Sequence, residues 1–281
     1  MSTAEAEYRE ALRDFETLVN YSARLSAETS GLPVTDWGLA EASHIFAKLA
    51  LHATSVHRLA PSGLIAPAGG SEVWDLSSIC VLVRAIVDAY SALHYVAVDE
   101  VPPDERTFRR RLWTFHSELR RSQGLRLIGS QRPEMVELEA KVRALEEELK
   151  ADSYYGALDP DKQSKARKGE LALHLTNSEI AKRAGIQPAY YKALYRYLSS
   201  YTHTYALSVA QLASFRVGDP DSLRLIRVAL DYGSAYLALA IRDFAKVIPD
   251  PPPKTAPVGE LIAKWEYLVA HTVCAPPEST A

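Results

Sequence analysis

DLSSICVLVRAIVDAYSALHYVAV, Asp75–Val98, is the stretch from which the fold follows. Ile79, Val83, Ile86, Tyr90, Leu93 and Ala97 recur at intervals of three and four, which places them on one face of an α-helix. Asp75 stands just before the first apolar residue, where a carboxylate accepts from orphan amides of the first turn. Outward from this segment the same periodicity returns, broken each time by proline. Sixteen prolines occur, and all lie at or beside segment boundaries. None interrupts a periodic stretch, where it would cost about 3 kcal/mol. Alternating β-branched runs closed by Asn-Gly or Asp-Gly, the mark of hairpins, are absent. The sequence therefore predicts an all-α protein, a bundle of eight or nine helices.

The expected helices run over 3–28, 36–59, from Asp75 onward, 104–123, 133–150, 177–184, 189–217, 219–248 and 258–273. A Gly/Pro-rich loop is expected at 60–73, and a mobile polar loop at 151–173. One bundle domain then covers 1–248, with a four-helix core and a peripheral helical hairpin at 104–150. Pro249-Asp250-Pro251-Pro252-Pro253 opens a stiff linker over 249–257. The C-terminal helix at 258–273 and a tail at 274–281 follow it.

Composition narrows the function classes. The 281 residues carry 32 Lys and Arg against 35 Asp and Glu, a net charge of −3, unlike a protein coated in nucleic acid. Cys80 and Cys274 are the only cysteines, so no disulfide framework is expected and a reducing, cytoplasmic setting is. The opening MSTAEAEYRE lacks the basic and apolar regions of a secretory leader. No uninterrupted apolar run of about 20 residues predicts a membrane span. Phosphate-loop, nucleophile-elbow and helical zinc motifs are missing. His44, His52 and His57 have the wrong spacing for paired ligands on a helix, so neither metal nor cofactor is expected.

Charge is uneven along the chain. Between Asp104 and Arg132, Arg106, Arg109, Arg110, Arg111, Arg120, Arg121, Arg126 and Arg132 face three carboxylates, which leaves +5. Arg109, Arg110, Arg120 and Arg121 are candidates for phosphate or RNA. The next helix is acidic, so pairing between the two is the competing expectation. A helix-turn-helix outline spans 176–200, but its second helix opens on Gln187, Pro188, Ala189, Tyr190 and Tyr191, which are poor readers of base edges. DNA is an unfavoured partner.

That second helix carries Tyr190, Tyr191, Tyr195, Tyr197, Tyr201 and Tyr205. Such rings suit a core with polar handles or a self-association face, and a homodimer is expected. Arg196 and His203 lie seven apart, on one face and about 10 Å apart along the axis, with Ser199 and Ser200 between them. On the Asp75–Val98 helix, Arg84 and Asp88 lie four apart. If these two helices pack together, Arg84, Asp88, Ser199, Ser200 and His203 form a buried polar network, since buried charge must be paired.

VRAIVDAYSALHYV (Val83–Val96) and IAKRAGIQPAYYKALYRYLSSYTH (Ile180–His203) resemble an uncharacterised bacterial helical family, recorded as a domain of unknown function. Its helices carry R-x-x-x-E and Y-x-x-x-Y-x-x-L-S-x-x-x-H. Arg84 and Asp88 match the first, with Asp in place of Glu; Tyr191, Tyr195, Leu198, Ser199 and His203 match the second. The likeness spans roughly 75–212. The later helix also resembles, more loosely, the HEPN superfamily of helical ribonucleases and toxins, which carry Arg and His with four to six residues between them; Arg196 and His203 have six. That resemblance implies a role in stress or phage defence and metal-independent RNA cleavage at a dimer cleft. His203 would then act as general acid and base, and Arg196 would steady the phosphorane charge. A purely structural network predicts the opposite placement, with His203 enclosed and bonded to Asp88 or Arg84.

Overall fold

The computed structural model describes residues 2–31, 36–62 and 73–272. Most of the expected loop at 60–73, Cys274 and the tail at 274–281 lie outside them. The described residues form twelve α-helices and one π-turn, with no strand among them. They group into two compact units, residues 1–98 with 177–281, and residues 99–176. The expected hairpin at 104–150 and the segment 151–173 both fall within the second unit.

In the first unit, α1 (Thr3–Glu28), α2 (Trp37–Leu59), α3 (Leu76–Leu93) and α11 (Pro220–Val247) close into a four-helix ring, each packed on the next. Ser2, Asp36, Asp75 and Asp219 cap these four helices, each accepting from an amide in the first turn. Ile79, Val83, Ile86, Tyr90 and Leu93 are buried, as their spacing requires, and Cys80, Val87 and Ala89 are buried beside them. So α3 is enclosed on most sides. Phe46 stacks on Phe244 at 4.2 Å between ring centres, and Gly233 lets Phe15 approach α11. A Cβ at Gly233 would stand 3.1 Å from the Phe15 ring.

The ring is flanked by α8 (Asn177–Arg183), α9 (Pro188–Thr202), α10 (Ala206–Ser214) and α12 (Ala256–His271). α9 lies on α3, and α12 lies on α11 and α1. By length and composition Leu76–Val98 is apolar enough to cross a membrane, contrary to expectation, although more than half of it is buried inside the unit. A search for unbroken apolar runs passes over it because Arg84 and Asp88 interrupt the run. A π-turn, His94–Val98, ends the segment.

The expected single helix over 189–217 is two helices. α9 ends at Thr202, and His203, Thr204 and Tyr205 form a break in which Thr204 adopts φ +53°. Apolar spacing continues through this break, which hides it from a reading by periodicity.

The second unit holds α4 (Pro103–Leu127), α5 (Glu134–Lys150), α6 (Ser153–Gly156) and α7 (Pro160–Arg167). Phe108, Leu112, Phe115, Leu149, Tyr155 and Ala166 form its core. The expected mobile loop at 151–173 is thus partly helical and supplies two core residues. Asp152 and Asp159 cap its short helices. Local capping was the signal there, and low apolar content concealed it.

Candidate functional site

Two features of the first unit gather functional side chains. The first is half-buried. Arg84 pairs with Asp88 one turn along α3, and its guanidinium lies 4.1 Å from the centre of the Tyr195 ring. Asp88 also accepts from Asn177 Nδ2 at 2.9 Å, which ties α8 to α3. Burial opposes the charge on Arg84, but the bond to Asp88 outweighs it and raises its pKa. Tyr191 stacks obliquely on Tyr195 at 5.5 Å, and burial pushes the Tyr191 hydroxyl pKa well up. The Tyr236 hydroxyl on α11 is buried with no hydrogen-bond partner among the described residues.

The second feature is open to solvent. Along α9, Lys192, Arg196, Ser199 and His203 follow the four-three-four spacing of one face. Lys192, Arg196 and His203 are exposed and Ser199 half-buried. Ser200 turns the other way, buried, donating to the Arg196 carbonyl at 2.9 Å. His203 closes the helix, its ring 5.3 Å from that of Tyr205. The expected network therefore divides. Arg84 and Asp88 meet each other with Asn177 and Tyr195, while His203 stands outside on the solvent face with Arg196. His203 ends α9 at the break, so its side chain leaves the packed face, and the enclosed placement is not found.

The helix-turn-helix outline exists as α8 and α9, but its reading end is occupied. Gln187 caps α9 through Ala189 N and donates its own amide to the Val269 carbonyl on α12. Tyr191 is buried. In the second unit the four arginines also separate. Arg109 is buried, bonded to Asp99 at 2.7 Å and Glu105 at 2.6 Å, so it does not face a phosphate. Arg110, Arg120 and Arg121 are exposed. Between α4 and α5, Arg126 pairs with Glu139 at 2.8 Å and Lys141 pairs with Glu118. The opposite charges of the two helices meet.

A family model described as a family of unknown function, DUF5677, matches residues 43–219, more than half of the chain. The chain belongs to the DUF5677 family. No curated protein and no solved structure matches it significantly. The DUF5677 region reaches from α2 to the residue before α11, so it takes in α3, α8 and α9 with the side chains described on them, and leaves out Tyr236 and Val269. Within it α3 and α9 contact each other, and Arg84 meets the Tyr195 ring between them. Asn177 escaped sequence reasoning because an Asn at a helix start reads as a cap. Lys192 was legible in its spacing from Arg196 and His203.

Proposed function

We propose that this DUF5677 protein binds RNA along the α9 face and cleaves it, with His203 and Arg196 as the working groups. The observation that carries the reading is the exposure of His203 in line with Lys192 and Arg196. None of the three pairs with a carboxylate among the described residues. Lys192 and Arg196, two unpaired cations on a single face, suit a run of backbone phosphates. His203 accepts the proton of a ribose 2′-OH, and the 2′ oxygen attacks the adjacent phosphorus. The bond to the 5′ oxygen breaks, and that oxygen leaves with a proton from water. A 2′,3′-cyclic phosphate and a 5′-hydroxyl remain. Arg196 holds the charge that builds on the phosphorane oxygens. This chemistry fits the stress or phage-defence role that the HEPN resemblance implies.

The test is incubation of the full chain with tRNA and mixed RNA in EDTA, beside His203→Ala and Arg196→Ala. The proposal expects cleavage that His203→Ala lowers roughly a hundredfold or more. Lys192→Ala should weaken RNA binding and flatten its salt dependence. An RNA left intact by the wild type, or cut equally by His203→Ala, overturns the reading.

A further inference from the structure

The residues of α10 are arranged inside out. Its sequence, ALSVAQLAS, contains no ionisable side chain and is mostly apolar. A surface helix ordinarily turns its apolar stripe inward. Here two of its three polar residues, Ser208 and Gln211, turn in. Ser208 is buried and donates to the Tyr205 carbonyl at 2.8 Å, and Gln211 takes the Tyr201 hydroxyl of α9 at 2.7 Å. Leu207, Val209, Ala210, Leu212 and Ala213 are exposed, with Tyr205 just before them and Val217 just after. Leu207 and Val209 keep half of their surface in water. Contiguous apolar surface of this kind marks an interface.

We propose that α10 is the surface on which a second copy of this chain docks, the two α10 helices packing antiparallel about a two-fold axis. An isologous contact sets a surface against itself, so any charge on it near the axis would oppose its own copy. α10 has none, and meets that condition along its whole length. Antiparallel packing also places the positive end of each helix dipole beside the negative end of the other. Apolar side chains of one copy then cover those of the other, as the core of a dimer interface requires. His203 precedes α10 directly, so the two copies hold their His203 side chains at opposite ends of the contact. Each copy keeps its own α9 face, in place of the single shared cleft that the HEPN resemblance implies.

This inference goes beyond the RNA reading and is tested without it. Sedimentation velocity of the full chain over a range of concentrations should show a dimer. Leu207→Glu with Ala213→Glu, the positions that flank Ala210 on one face and oppose each other across the axis, should raise the dissociation constant roughly a hundredfold or more, because carboxylates would be buried against carboxylates. Circular dichroism should show unchanged helix content in that variant. Ala210 lies at the centre of α10, so Ala210→Cys should form an intermolecular disulfide on mild oxidation in a Cys274→Ser background. That second readout decides the matter if the glutamate variant fails to fold. A wild type that is monomeric at every concentration overturns the proposal. So does a dimer unaffected by both glutamates, or one in which Ala210→Cys does not cross-link. A wild type that cleaves RNA but stays monomeric at every concentration overturns this inference and leaves the RNA reading standing.

Discussion

Arg109 shows how far a residue's meaning depends on what encloses it. In sequence it is one of eight arginines in a strongly basic stretch. In the second unit it is almost wholly buried between Asp99 and Glu105. Removing one partner of a buried ion pair costs about 3–5 kcal/mol, because the remaining charge stays buried without its counterion. Arg109→Ala should therefore lower the unit's stability by roughly that amount in a denaturant titration. Arg110→Ala, at an exposed position one residue on, should change it by less than about 0.5 kcal/mol. Equal losses for the two variants would refute this account. Helical spacing indicates which side of α4 a residue occupies, but it cannot say that Asp99, ten residues away, folds back to meet Arg109.

At the scale of elements, caps and apolar periodicity made the long helices legible. α1 runs over the predicted residues, and Asp36, Asp75 and Asp219 begin α2, α3 and α11 as expected. The break at 203–205 was hidden because both sides of it are apolar, and no proline or glycine marks it. The same break separates His203 from the half-buried cluster about Arg84 and Asp88, so the candidate site was legible as residues but not as an arrangement. Packing between elements also moves charge. Asp231 on α11 is partly buried, with Arg227 on its own helix, Lys264 on α12, and Asp14 and Glu10 on α1 about it. Burial raises its pKa to about 6, against the pull of Arg227 and Lys264. A carboxyl with a raised folded pKa binds its proton more tightly when folded, so its contribution is fully present at low pH. It is lost as pH rises from its ordinary value of 3.8 to about 6. Asp231→Asn removes that titration. Relative to this variant, the wild type should lose melting temperature between pH 4 and pH 7, and a constant difference would refute the assignment.

Across the whole molecule, the first unit is assembled from both ends of the sequence, residues 1–98 and 177–281, with the second unit inserted between them. Local periodicity cannot announce such a closure. It depends on the pairing of α1 with α11, whose residues lie about two hundred positions apart. What the sequence did carry was the apolar face of α3, which like α11 has more than half of its residues enclosed. Those helices had to become the centre of whichever unit they joined. Cys80 lies on α3 at that centre, fully buried, and burial pushes its thiol up to about 12. A group so far from its thiolate form is inert to disulfide exchange while the ring of helices is closed. In a Cys274→Ser protein, the rate at which a coloured disulfide reagent labels Cys80 should therefore rise with denaturant as the opening of the first unit does, and should keep the pH dependence of a free thiol, because Cys80 reacts only once exposed. The molecule thus contains its own stopwatch for how often its interior is visited by water.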